Sequence, residues 1–217
     1  LGSKTIAIGQ GVLANQNFTS ATDSYNTAVG HLAGAEVTTG VQNTIIGGLA
    51  GDALTTGSNN VVVGAFALSS DDLGSFNTAL GYNTLAAMNF ASATDSYNTA
   101  VGARAGQAIT TGTAQVLIGA LAGDALTDAD YNIAIGVAAL SADTLGSRSV
   151  AIGHAALTTQ NFTSATDSYN TAVGHGAGNA VTTGIRNTLM GGEAGDALQD
   201  ADDNVAIGAL ALSGDTL

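Results

Sequence analysis

The sequence predicts an all-β chain, a parallel β-solenoid or β-roll of twelve coils, each 17 or 21 residues long, grouped into three units of 72 residues. Three observations predict it. An aliphatic residue followed by Gly recurs at Gly9, Gly30, Gly47, Gly64, Gly81, Gly102, Gly119, Gly136, Gly153, Gly174, Gly191 and Gly208, at intervals of 17 residues that lengthen to 21 at three places. Short β-favouring runs such as TAVG, TIIG, VVVG and IAIG lead into each Gly, which can itself turn the chain with φ > 0. Four residues before the Gly, nine of the twelve coils carry Asn.

A period near 17 residues suits one coil of a β-solenoid. It is too short for a helical repeat of ~34 residues or a propeller blade of ~40. The higher unit is visible as identity: QNFTSATDSYNTAVGH at 16–31 returns unchanged at 160–175, and Phe90 to Gly102 reads FASATDSYNTAVG. The chain is thus expected to be one repetitive segment, 1–217, with units at 1–72, 73–144 and 145–216. Leu217 shares its phase with Leu1, Leu73 and Leu145, and no atypical capping repeat stands at either end, so the segment is expected to belong to a longer repetitive chain.

Each column of the repeat has a predicted place. The aliphatic residue before the Gly (Ile8, Val29, Ile46, Val63 and so on) is expected to point into the core. The amides Asn26, Asn43, Asn60, Asn77, Asn98, Asn132, Asn170, Asn187 and Asn204 are expected to stack as a structural ladder, since coils lie about 4.7–4.9 Å apart. Thr5, Gln115 and Ser149 interrupt that column. Ala stands three residues after the Gly in ten coils, which leaves little room there, and the next position runs Leu, Gly, Gly, Leu in every unit. The long coils hold four extra residues around SATDSY, expected to bulge as loops ending in Tyr25, Tyr97 and Tyr169, where recognition would sit. Runs such as TIIG and VVVG are apolar on both alternating sides, so the second face is expected to meet sister chains.

Composition excludes several function classes. Charged residues are only 10% of the chain, against the usual ~25%. The 17 acidic residues against 4 basic ones give a net charge of −13, which repels phosphate backbones and anionic membrane surfaces alike. Nucleic-acid partners are therefore not expected, and no apolar stretch is long enough for membrane insertion as a helix. With no Cys there is neither a disulfide framework nor a thiolate metal site. With no Pro, every backbone N–H remains available to the ladders.

Candidate chemistry is thin, and no enzyme, cofactor or metal site is expected. His31, His154 and His175 all follow the repeat Gly and are expected at the surface. Asp23, Asp95 and Asp167, Asp52, Asp124 and Asp196, and the DADD run at 200–203 read as solvated turn acids, because no calcium-loop pattern surrounds them. Five residues before the Gly, Lys4, Tyr25, Phe76, Tyr97, Tyr131, Arg148, Tyr169 and Arg186 form an outward stripe for packing against a neighbouring chain or for stacking on glycans.

The units NTAVGHLAG, NVVVGAFAL, SVAIGHAAL and NVAIGALAL resemble the head repeats of trimeric autotransporter adhesins and related phage tail-fibre repeats, where S/N-x-A-I-G-x-x-A recurs along a stacked β-roll. The match spans all twelve coils, although these coils are longer than those of adhesin heads. The resemblance implies a three-chain, extracellular fibre with an adhesive or host-contacting role. The expected function is a structural subunit of such a fibre at a cell or virion surface, with copies of itself as partners, as a homotrimer or helical polymer, and surface glycans as targets. The alternatives are an ice-binding solenoid, which needs an outward Thr array, and a calcium-dependent secreted one.

Overall fold

The structure, a computed structural model, describes residues 2–214. They form two compact units, one ending at Thr111 and one starting at Gly112. Each is a parallel β-solenoid of six turns, so the chain makes twelve turns spaced 17 or 21 residues apart, and no helix occurs among the described residues. The division at Thr111 falls inside the second 72-residue repeat. In a solenoid each turn meets only its neighbours, so compact units need not follow sequence repeats.

One three-residue strand per turn builds each sheet. In the first unit these are β2 (Ile6–Ile8), β4 (Thr27–Val29), β5 (Thr44–Ile46), β6 (Val61–Val63), β8 (Thr78–Leu80) and β10 (Thr99–Val101). In the second they are β11 (Val116–Ile118), β12 (Ile133–Ile135), β14 (Val150–Ile152), β16 (Thr171–Val173), β17 (Thr188–Met190) and β18 (Val205–Ile207). Successive strands within a unit pair in parallel and in strict register, Thr27 beside Thr44 and Ile135 beside Ile152. The long coils do more than bulge. Their Thr-Asp pairs form short strands, β3 (Thr22–Asp23), β9 (Thr94–Asp95) and β15 (Thr166–Asp167), against β1 (Gly2–Ser3), β7 (Gly74–Ser75) and β13 (Gly146–Ser147) of the preceding turns.

The core corrects one expectation. The aliphatic residue before each repeat Gly is buried in none of the twelve turns, and Ile46, Ile118 and Met190 are 39%, 39% and 46% exposed. The strand's middle residue points inward instead: Ala28, Ile45, Val62, Ala79, Ala100, Leu117, Ala134, Ala151, Ala172 and Leu189 are all at 0%. Side chains alternate across a strand, so a shift of one residue exchanges the faces. The buried Asn column has the same parity as the middle residue, and parity decides which face turns in.

Size compensation explains the Leu-Gly-Gly-Leu order. Every third turn of a repeat carries a large inward residue, and Leu189 fills the space beside two successive glycines. A Cβ on Gly178 or on Gly195 would come within 2.7 Å of its methyls. Ile45 does the same for Gly34 and Gly51, its Cδ1 lying 2.9 Å and 3.6 Å from where their Cβ atoms would be. Where the inward strand residue is small, Leu13 and Leu157 complete the layer.

Each turn is closed by left-handed backbone. Within the turn around Gly64, Asn59, Phe66 and Leu68 take φ of 61°, 57° and 49°. Such a conformation costs a non-Gly residue roughly 1–2 kcal/mol, so the stacked ladders must outweigh it. The repeat Gly is a different case. At Gly153 φ is +133°, and a Cβ would overlap the carbonyl oxygen of Gly174 one turn away. Gly153→Ala should therefore lower stability by about 3 kcal/mol or more, from backbone strain plus overlap. Gly192→Ala, with nothing within 4 Å of the added methyl, should change it by less than about 0.5 kcal/mol. Urea unfolding of both variants checks the contrast.

Candidate functional site

Two surfaces and one interior column carry the polar chemistry of the turns. The interior column is the Asn ladder. Asn26, Asn43, Asn60, Asn77, Asn98, Asn132, Asn170 and Asn187 are buried, and Asn204 is partly so. The amides do not bond mainly to one another. In seven of them Oδ1 accepts the backbone N–H of the same column one turn on, as at Asn43 N to Asn26 Oδ1 (2.9 Å) and Asn187 N to Asn170 Oδ1 (2.8 Å). In six of the nine, Nδ2 donates to a carbonyl 14 residues ahead, as from Asn43 to Gly57 (2.8 Å) and Asn132 to Gly146 (2.8 Å). Asn98 donates to Met88 Sδ, whereas Asn77 turns to the Ser75 carbonyl, and Asn204 to Asn187 Oδ1 and the Asp202 carbonyl. Gln115 substitutes with a longer amide that takes the Asn132 N–H at 3.1 Å and donates to the Ala129 carbonyl. Where the column holds Ser149, hydroxyls and Gln160 rebuild the network: Ser149 Oγ lies 2.6 Å from Ser168 Oγ and accepts from Gln160 Nε2 at 2.8 Å.

The first surface is the outward side of the strands. It presents two ranks per turn, Thr, Val or Ile at the first strand residue and an aliphatic at the third. None of these residues is buried in either unit. The corner that follows adds Phe66 and Tyr82, in edge-to-face contact at 6.1 Å, and the half-exposed Val137. Arg104 and Glu193 are the charged residues of this face and corner.

The second surface is the aromatic and cationic stripe. Tyr25, Phe76, Tyr97, Tyr131 and Tyr169 are between 42% and 57% exposed, and Lys4, Arg148 and Arg186 are exposed as well. All eight take positive φ, from 50° to 62°. Register stacks them within each unit: Phe76 on Tyr97 at 5.3 Å and 23°, Arg148 over Tyr131 at 4.9 Å and over Tyr169 at 5.9 Å, and Lys4 over Tyr25 at 4.9 Å. The loop acids turn to these cations. Asp23 binds Lys4 at 2.6 Å, Asp167 binds Arg148 at 3.0 Å, and Asp203 takes Arg186 Nε and Nη2 at 2.6 and 2.7 Å. Hydrogen bonding from Lys4 and Arg186 holds Asp23 and Asp203 below the ordinary carboxylate range.

An open groove of about 660 Å³ adjoins this stripe, lined by Asp128, Asp130, Leu145, Ser147, Ala165, Thr166 and Asp167. Asp167 joins the two, since it also accepts from the Tyr169 hydroxyl at 3.3 Å. The column directly after the repeat Gly, which holds Tyr82 and Val137 at the corner of the first surface, also carries the three histidines. His31, His154 and His175 are exposed there, and the rings of the last two stack at 5.2 Å and 11°. Among the described residues, no three metal-ligating side chains gather.

Sequence reasoning missed two buried acids, Asp71 and Asp143, both at 0% exposure. A signal was available, because seven residues after the repeat Gly the column otherwise holds Val37, Leu54, Met88, Ile109, Leu126, Val181 and Leu198, with Gln16 and Gln160, and Asp215, which lies outside the described residues. No protein family, curated protein or solved structure matches the chain.

Adjacent residues separate ladder from stripe. Asn170→Ala strips buried partners from Asn187 N–H, the Gly184 carbonyl and Gln160. It should cost about 3 kcal/mol or more, because each orphaned buried group costs roughly 1–3 kcal/mol. Tyr169→Ala, at an exposed cation–π contact, should cost less than about 1 kcal/mol. Denaturant midpoints of the two variants decide it.

Proposed function

We propose that the chain is a structural segment of a homo-oligomeric extracellular fibre, without catalytic activity, in which sister chains cover the outward strand faces. The observation that carries this reading is the segregation of charge. Of the 17 acidic and 4 basic residues, only Glu193 and Arg104 lie on the strand faces and the corner that follows them. Copies with a net charge of −13 repel one another, and the uncharged aliphatic face is where they approach at least cost. Its ranks repeat with the strand spacing of about 4.8 Å in every copy, so ridges of one chain fit grooves of the next. A long apolar face exposed on a soluble protein marks an interaction site. The resemblance of the coils to adhesin-head and tail-fibre repeats supports three chains per fibre and a place at a cell or virion surface.

The stripe then serves contact with targets. Half-exposed tyrosine rings stack on the apolar faces of sugars, and the groove beside Tyr169 offers carboxylates and hydroxyls to sugar hydroxyls. Surface glycans are the partners this chemistry suits.

One observation favours a second reading. The first outward strand rank presents Thr in six turns (Thr27, Thr44, Thr78, Thr99, Thr171 and Thr188) beside a second rank that is aliphatic throughout, a regular outward array of the kind an ice-binding surface uses, although its Thr rows are interrupted in every repeat. The two readings use the same face and exclude one another when it is covered. Sedimentation of the purified chain should give a multiple of 21.1 kDa. The double variant Ile135→Glu, Ile152→Glu, at outward half-buried positions, should sediment as a single chain with an unchanged circular dichroism spectrum. A wild-type chain that sediments at 21.1 kDa at tens of micromolar would sink the fibre reading, and thermal hysteresis in that sample would establish the second.

A further inference from the structure

Asp71 and Asp143 occupy one place in successive repeats, 72 residues apart. Both cap the turn that follows through one carboxylate oxygen. Asp71 Oδ1 accepts from Gly74 N–H at 3.1 Å and more weakly from Leu73 N–H at 3.4 Å, and the Phe90 N–H also bonds to this carboxylate. Asp143 Oδ1 accepts from Gly146 N–H at 3.0 Å and from Phe162 N–H at 3.2 Å. Phe90 and Phe162 begin the exposed loops of two of the three long coils, so each Asp ties such a loop to the turn beneath it.

The second oxygens differ. Asp143 Oδ2 accepts from Gln160 Nε2 at 2.6 Å, and Gln160 is itself anchored by Ser149 and Asn170. In the first unit the place of Gln160 is taken by Met88, which has no N–H to give. Asp71 Oδ2 is left buried without a partner, pressed against Gly74 on one side. Leu54 and Met88 hold the same column in the turns to either side and carry no charge. The charged group that acts on Asp71 is Asp72, next in the chain, and it too disfavours a second negative charge.

We propose that Asp71 is a proton-operated catch for the long-coil loop that begins at Phe90: a proton on Oδ2 keeps the loop closed, its loss opens the loop, and the matching loop at Phe162 lacks this response because Gln160 supplies a permanent donor. An ionised carboxylate without its full set of donors is costly in a buried site. The least costly relief is a local opening that admits water, and local openings of exposed loops need far less free energy than global unfolding. Burial pushes Asp71 up to about 6, whereas at Asp143 the Gln160 bond works against the same effect of burial. The sign follows. A carboxyl held above its unfolded value of about 4 contributes stability that is complete below that value and is lost as the pH rises through about 6. The loop is therefore closed at pH 5 and loosened at pH 8. This catch works whether or not the strand faces are covered by sister chains.

Amide hydrogen exchange in the full chain tests it, with the second unit as internal reference. After correction for intrinsic base catalysis, protection at Gly74 and Phe90 should fall about tenfold between pH 5 and pH 8, because a carboxyl that ionises near 6 when closed and near 4 when open has already lost part of its stabilising effect at pH 5. Gly146 and Phe162 should change by less than about threefold over the same range. Met88→Gln, which restores the missing donor, should bring Gly74 and Phe90 to the behaviour of Gly146 and Phe162. Equal pH responses in the two units would overturn the proposal, as would a response that survives Met88→Gln. So would a side-chain carboxyl carbon of Asp71 that titrates below pH 4.5 in NMR, a readout that stays available if either loop exchanges too fast to follow.

Discussion

The close stacking of turns at the repeat Gly is the constraint on which the rest depends. A carbonyl oxygen of the next turn occupies the space a Cβ would take, and φ there lies in a range that only glycine enters without strain. This contact holds successive backbones at strand spacing. Once that spacing is set, everything periodic in the sequence becomes periodic in space: amides meet backbone N–H groups one turn away, rings meet rings, and inward side chains form layers. The left-handed corners at non-Gly residues are tolerated because the ladders on either side determine them.

The Asn column supplies what the aliphatic layers cannot. A solenoid turn of so few residues has more backbone polar groups than its short strands can pair, and buried ones must find partners. Most of these amides satisfy an N–H of the next turn and a carbonyl further along the chain. The network also fixes parity, since an Asn that must face inward puts the middle strand residue inward with it and the Thr and aliphatic ranks outside. An apolar surface on the outer side of the sheet is thus a consequence of the polar network inside.

The repeats are alike enough to fold by one rule and different enough to depart from it locally. Exchange of Gln160 for Met88 leaves the backbone course unchanged and alters only the partner of one carboxylate oxygen. In a solenoid such an exchange acts on its own turn and its neighbours, because contacts are confined to them. The same locality lets Ser149 replace an Asn when Gln160 and Ser168 rearrange around it. Charge follows a similar logic: acids collect at turns and loops, often beside Lys4, Arg148 or Arg186, and leave the strand faces bare.

By itself the sequence determined the all-β class, the number of turns, their 17- and 21-residue lengths, the glycine corners and the Asn column, because these rest on period and on residue types with a single strong backbone or hydrogen-bond preference. Which face of each strand is the core was decided only by the tertiary structure. TAVG and VVVG are apolar on both sides, so alternation carries no signal there, and the choice depends on the amide network linking one turn to the next. The meaning of Leu-Gly-Gly-Leu was equally hidden, since it is one side chain such as Leu189 filling the space beside glycines of two different turns. The buried Asp71 and Asp143 are marked in sequence only by standing in a column that is otherwise mostly apolar. Burial and the presence or absence of a donor 17 residues away distinguish them, and both are properties of stacked turns rather than of local sequence.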